Sequence, residues 1–308
     1  MRALGIRRIG GPVELLDLPE PRALAADEVL INVAAAGVAN WDDIVRVGGW
    51  DVGTTPPMAL GVEAAGTITA VGDAVTNFGP GDEVMTHPLP LRAQGTWAER
   101  LIAPANLLAS KPATVSWAAA AAFPVPALTA EQVLTEALEA HAGQTLLVNG
   151  AGGLTGGMLV QLGSLGGLRV IATAGPASRH RVRGLGAEEV LDYHDSDWPA
   201  RVLRLTGGRG VAVAANAARG GAAMALSTVA DGGRLATITS DAPAAERGIA
   251  VSEVYVRPDG GQLAALIALL GEGRLTVAVA ASYPLPDAPA ALARAVSGTS
   301  GAALVVTT

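Results

Sequence analysis

Gly150, Gly153 and Gly156 stand three residues apart in the segment VNGAGGLTGG (Val148 to Gly157), between an apolar run and a helix-like stretch. That spacing suits the capture of a pyrophosphate. The first glycine permits a tight turn, the second lets the backbone approach the phosphates, and the third lets the helix pack against the strand. The loop residues Gly150, Ala151, Gly152, Gly153, Leu154, Thr155 and Gly156 are therefore the candidate cradle for a dinucleotide. A branched side chain at Gly153 or Gly156 is expected to abolish binding while leaving the protein folded.

The next strand decides which dinucleotide fits. An NAD site places an acidic residue about 20 residues on, where it holds the ribose 2'-hydroxyl. Here the strand ends Thr173-Ala174-Gly175, without an acid, and Ser178, Arg179, Arg181 and Arg183 follow. A guanidinium matches a 2'-phosphate, which favours NADPH.

These residues need a parallel sheet to position them. After Ala118 apolar runs alternate with helical stretches: strands Thr145 to Gly150, Arg169 to Gly175, Glu189 to Tyr193, Val211 to Asn216 and Gly233 to Thr239, with helices between them. Strands alternating with helices imply βαβ units. Before about Trp117 the pattern is β-like, with short apolar runs broken by Gly, Pro and Asp. The expected class is therefore α/β plus β, in two domains, as 308 residues suggest. The last runs, Leu275 to Ala281 and Leu304 to Thr308, either rejoin the first domain or extend the sheet.

Composition narrows the partners. With 21 Lys and Arg against 28 Asp and Glu, a net charge of -7 and 3% aromatics, nucleic acid is not an expected partner. Cysteine is absent, which removes disulfides and thiolate metal sites and is compatible with a reducing cytoplasm. The N-terminus lacks the apolar core of a signal peptide. The longest uncharged stretch, Thr145 to Leu168, is rich in glycine, which argues against a membrane span and for a soluble protein.

Further motifs accompany the glycine loop: AAGV at Ala35 to Val38, GVEAAGTITAVGDAVTNFGPGDEV at Gly61 to Val84, GTWAERLIAP at Gly95 to Pro104, AAAAFPVPALTA at Ala119 to Ala130, LGAEEVLDY at Leu185 to Tyr193 and TGGRGVAV at Thr206 to Val213. In order and spacing the chain resembles the zinc-independent, zeta-crystallin-like quinone oxidoreductases of the medium-chain dehydrogenase/reductase superfamily. The resemblance implies a GroES-like catalytic domain over residues 1–118, completed by about 255–308, and a Rossmann domain over 119–254. It also implies NADPH as cofactor, a small-molecule substrate and a homodimer. Asn40 and Trp41 fall where relatives line the substrate pocket, although Asn40 and Asp42 equally suit the capping of a helix over Asp43 to Val47. Thr129, Arg179 and Tyr193 match cofactor-contacting positions, and Asn216 and Thr239 close the fourth and fifth strands on the same side.

The departures from the family shape the expected chemistry. Zinc-dependent relatives carry Gly-His-Glu where this chain has Gly61-Val62-Glu63, so no metal is expected. Glu131, Trp97 and Arg100 replace tyrosines of the family, Ala302 replaces a lysine, and Ala212 and Asn216 replace acids. His87 is read as a surface residue rather than an acid, which leaves water to supply the proton. The expectation is an NADPH-dependent reductase of quinones or α,β-unsaturated carbonyl compounds. A tailoring enzyme for one metabolite and a non-catalytic NADPH-binding protein are the alternatives.

Overall fold

The computed structural model describes all 308 residues. The first elements are β1 (Arg2–Ile6), β2 (Glu14–Asp17), β3 (Glu28–Val38), α1 (Asn40–Arg46), β4 (Met58–Ala59), β5 (Ala64–Val71), β6 (Glu83–Thr86), β7 (Arg100–Pro104), β8 (Leu108–Ser110), α2 (Trp117–Ala121) and α3 (Pro124–Gln132). Then follow β9 (Thr145–Asn149), α4 (Leu154–Leu165), β10 (Arg169–Thr173), α5 (Pro176–Gly184), β11 (Glu189–Leu191), α6 (Trp198–Leu205), β12 (Val211–Asn216), α7 (Ala222–Leu226), β13 (Val229–Thr237) and β14 (Ala250–Glu253). The chain ends with α8 (Gly260–Gly271), β15 (Val279–Pro284), α9 (Ala288–Ser297) and β16 (Ala303–Thr307).

Two compact units result, Met1–Leu128 with Arg257–Thr308, and Thr129–Val256. The division falls inside α3, later than residue 118. The reason is local, because α2 packs on β3 and β5, and the backbone N–H of Val125 donates to Glu63 in the first unit.

In the first unit, β3 is the organising strand. Its start pairs with β7, its end with β16, and its other edge with β5 along most of its length. The sheet order is β15-β16-β3-β5-β6-β8, so both C-terminal runs rejoin this unit. A second sheet, β2-β1-β4, lies over Ala3, Leu16, Leu18, Ala59 and Ala98.

The second unit holds six parallel strands in the order β11-β10-β9-β12-β13-β14. Counted from β9 this is the doubly wound order 3-2-1-4-5-6. The central strands β9, β10 and β12 are buried along almost their whole length, as parallel strands covered by helices on both faces must be, whereas the edge strand β14 has no buried residue. Trp198, Val202 and Leu226 cover Leu147, Ile171 and Leu235 on one face. No helix is long and apolar enough to cross a membrane.

Trp97 is fully buried and ties three segments of the first unit together. Its N–H donates to Leu60 O at 2.8 Å, its carbonyl accepts from Leu4 N–H at 2.8 Å, and its indole Nε1–H donates to Gly37 O in β3 at 2.9 Å. Trp97→Phe should cost about 1–3 kcal/mol, because it removes the indole bond and leaves a buried carbonyl short of a donor. Urea denaturation checks it; an unchanged midpoint would contradict the role.

Candidate functional site

The C-terminal edge of the parallel sheet carries a continuous polar chain. Gly150 N–H donates to Thr173 Oγ1 (2.9 Å), whose hydroxyl donates to Asn149 Oδ1 (2.6 Å). Asn149 Nδ2 donates to Asn216 Oδ1 (2.8 Å), and Asn216 Nδ2 donates to the hydroxyls of Thr237 (3.0 Å) and Thr239 (2.9 Å). Both hydroxyls end on Asp241 Oδ1, at 2.7 and 2.6 Å. Burial pushes the Asp241 carboxyl upward, but the hydroxyls of Thr239 and Thr237 and the Ala222 amide outweigh it and hold it below the usual range. An anion thus terminates a run of donors that all point away from the glycine loop.

The three glycines of the loop do different work. Gly150 has φ +89°, and a Cβ there would press on the Ala217–Ala218 peptide. A Cβ at Gly156 would overlap the Gly150 carbonyl, so this glycine is fixed by packing between helix and loop. Gly153 caps α4 with extended geometry, and a Cβ there meets nothing closer than 3.6 Å. A branched residue is thus tolerated by the fold at Gly153 but not at Gly156, which corrects the expectation that treated them alike. Ala151 is buried and bonded to Thr173 O, Leu154 and Thr155 open α4, and Gly152 lies beside Ser178.

At the end of β10, Ala174 is buried and Gly175 caps α5. Where a Gly175 side chain would stand, the rings of Tyr193 and His194 lie 3.2 and 3.6 Å from the Cβ position. Ser178 is buried, and the buried Nε of Arg179 has no hydrogen-bond partner. Arg181 turns inward instead, donating to Gly152 O at 2.7 Å, with burial lowering its pKa. It braces the loop and is not part of an anion-facing set. Tyr193 is 53% exposed, a surface ring and not a buried strand-end aromatic. Thr129 is buried on α3.

In the first unit α1 begins at Asn40, with Ala39 as its N-cap, so Asn40 does not cap it and is exposed. Asp42 reaches back instead, its Oδ2 accepting from Ala39 N–H at 2.8 Å. Its other oxygen and the Trp41 indole nitrogen are buried without partners. Burial pushes Asp42 up to about 8, and burial also raises Glu63, whose carboxylate accepts from Val125 N–H at 2.8 Å. His87 is no surface residue, being 1% exposed. Its Nδ1 lies 2.7 Å from Val62 O and must carry the hydrogen, which leaves Nε2 unpartnered. Burial lowers its pKa to about 4, so His87 is neutral and has no proton to give at pH 7. Asn149, Thr173, Thr237 and Asp241 were not singled out in sequence, since each reads as an ordinary strand-end polar residue.

Comparison with known proteins gives matches in both units. An alcohol dehydrogenase GroES-like family model matches residues 25–113 and a zinc-binding dehydrogenase model matches 185–306. The chain is 31% identical to the quinone oxidoreductase of Lama guanicoe over 79% of its length and 74% of that protein. It is 37% identical over 66% of its length to erythronolide synthase EryA2 of Saccharopolyspora erythraea, of which it spans 6%. Among solved structures it is similar to an NAD-dependent alcohol dehydrogenase (30% identity, TM-score 0.89, 100% of both chains). It is also similar to mycobacterial Rv1454c complexed with NADPH (29%, 0.86, 100% of both chains). The residues at the zinc relatives' ligand positions do not fit that metal: Val62 replaces their histidine, and no three His, Cys, Asp or Glu side chains converge.

The buried Asp42 acid generates a pH test. Its folded value lies above its unfolded one, so the folded state binds the extra proton between about pH 4 and 8, and stability falls as pH rises through that window. The slope should approach about 1.4 kcal/mol per pH unit. Asp42→Asn keeps the bond from Ala39 and removes this component, so thermal melts should show it more stable than the parent at pH 8, with the gap narrowing steadily as pH falls toward 4. Parallel profiles for the two proteins would overturn the assignment.

Proposed function

Because the chain belongs to the quinone oxidoreductases of the medium-chain dehydrogenase/reductase superfamily, we propose that it is an NADPH-dependent, metal-free reductase of quinones or α,β-unsaturated carbonyl compounds. The observation that carries the cofactor assignment is the end of β10, where Gly175 replaces the acid of an NAD site beside the unpartnered Arg179 Nε. The loop from Gly150 to Gly156 would hold the pyrophosphate at the start of α4, with Gly153 giving the open approach. Ser178, Arg179 and Tyr193 would hold the 2'-phosphate, and Ala174, Thr129, Asn216 and Thr239 would flank the rest.

When bound, NADPH supplies a hydride to an electrophilic carbon of the acceptor. The chain's own residues orient and shield. Asn40 and Trp41 are proposed to contact the acceptor, the exposed amide as a hydrogen-bond donor and the indole as a wall. Since His87 is neutral and sealed, the second proton comes from solvent. An acceptor that is already conjugated needs no Lewis acid, which matches the unsuitable ligand set. The likeness to a stretch of erythronolide synthase EryA2 supports a second reading, a tailoring reductase for one metabolite. A homodimer acting in the cytoplasm completes the proposal.

Gly153→Val should remain folded by circular dichroism yet lose NADPH binding, and Arg179→Ala should weaken NADPH by about 1.5–3 kcal/mol while barely changing NADH. Fluorescence titration checks both, and equal losses for the two cofactors would refute the 2'-phosphate assignment.

With unlabelled NADPH in deuterated water, an enone should gain hydrogen at the β-carbon and deuterium at the α-carbon, with turnover unchanged by a strong chelator. Faster reduction of a simple aldehyde, or loss on chelation and recovery with zinc, would overturn the chemistry. Inertness toward every quinone and enone would favour the binding-protein alternative.

A further inference from the structure

The His194 side chain was not among the residues read as cofactor-binding, yet it is the better-anchored half of the wall over Gly175. Asp192 Oδ1 accepts from the His194 backbone N–H at 3.0 Å and lies 2.7 Å from its Nδ1. The ring stacks on Tyr193 with centroids 4.1 Å apart and planes tilted by 32°. An ionised carboxylate at Nδ1 requires hydrogen there, so Nε2 is the nitrogen left to change its proton. The side chain is 61% exposed, and its Cε1, between the two nitrogens, lies 3.6 Å from the position of a Gly175 Cβ. That position is where dinucleotide folds read the ribose 2' substituent.

Building on the NADPH reading, we propose that His194 is a specificity-determining residue that takes up a proton at Nε2 when a 2'-phosphate binds. The proton comes from solvent and no covalent bond changes. The imidazolium N–H then donates to a phosphate oxygen, a charge-assisted bond that a ribose hydroxyl does not call for. The charges around the ring set the balance. Asp192 favours the imidazolium, Arg179 on α5 acts on the same cluster and opposes it, and Asp195 is engaged by Arg201 at 3.7 Å. The dianionic ligand tips this balance toward protonation. Discrimination between NADPH and NADH is therefore linked to proton uptake by this ring.

The test is cofactor binding to the full chain by isothermal titration calorimetry at pH 6 to 8, in two buffers of different ionisation heat. NADPH should bind with proton uptake and weaken about three- to ten-fold between pH 6 and 8, beyond the change contributed by titration of the phosphate itself. NADH should show neither effect. His194→Gln, at an exposed position, should bind NADPH with the parent's pH 8 affinity and with reduced proton uptake. Asp192→Asn should reduce the uptake while retaining the ring. In NMR spectra at pH 7, the His194 Cε1 proton should shift to its protonated position with NADPH and not with NADH. If NADPH is preferred but His194→Gln keeps the parent's full pH profile, the histidine is a bystander and this inference fails alone. If the parent binds both cofactors equally at every pH, the 2'-phosphate reading fails and takes the inference with it.

Discussion

The second unit depends on how six parallel strands finish along one edge. Strand ends there leave polar groups that neither the ladder nor solvent fully satisfies, and the chain from Gly150 N–H to Asp241 meets that demand with side chains. Because Asp241 accepts and cannot donate while ionised, it sets the direction of every hydroxyl and amide upstream. The result is a glycine loop whose first amide is already bonded inward, as are the amides of Ala151, to Thr173 O, and of Gly153, to Gly150 O. Asn149 and Asn216 work as relays because an amide carries both a donor and an acceptor. The acid expected of the family at position 216 would be acceptor-only, so a neutral amide there requires its acid elsewhere, and Asp241 supplies it.

Small residues set the shape above that edge. Gly156 is enforced by the loop's own carbonyl, Gly153 meets no protein atom closely, and Gly175 leaves room that two aromatic rings occupy. Of these only Gly153 reads as space kept for something outside the chain. Part of the glycine excess is thus structural close packing. At Gly175, where an NAD site carries an acid, the surface is bounded instead by Arg179, Tyr193 and His194, which is the physical basis for proposing a phosphate in place of a hydroxyl.

Much of this was legible in sequence because it rests on short-range spacing. The βαβ alternation placed five strands and the glycine loop, and the missing acid after Thr173 was visible directly. The sixth strand, β14, was missed because its four residues, Ala250–Glu253, show neither a long apolar run nor clean alternation. The C-terminal runs were ambiguous because an edge pairing between β16 and the end of β3 joins residues far apart in the chain. The polar chain was invisible for the same reason: Thr173, Asn149, Asn216 and Asp241 are brought together only by parallel register. His87 was misjudged because a histidine in a Pro-rich loop gives no sign of burial until Val62 is placed against it. At the start of α1 only Asp42 of the two expected capping residues takes part, from inside the helix, while Ala39 is the N-cap and Asn40 opens the helix.

The first unit's buried titratable groups bear on the source of the proton. Asp42 and Glu63 are raised and His87 is lowered, each mainly by burial, so at neutral pH burial favours the uncharged form of all three. A protonated Asp42 has a proton of suitable affinity, and its unpartnered oxygen makes it the obvious candidate acid. A catalytic acid must also be recharged on every turnover, and that requires contact with water or a relay to it. Asp42 is fully buried, and its one hydrogen bond, from Ala39 N–H, is to a backbone amide that cannot pass a proton on. His87 has the same defect in reverse, because its Nδ1 is committed to Val62 O and its Nε2 has no donor. With Trp97 sealed as well, Asp42 and His87 in the first unit have no route by which to exchange a proton. For the reduction proposed above, solvent is then the proton source consistent with both the affinities and the geometry, and the protein would contribute placement of the acceptor.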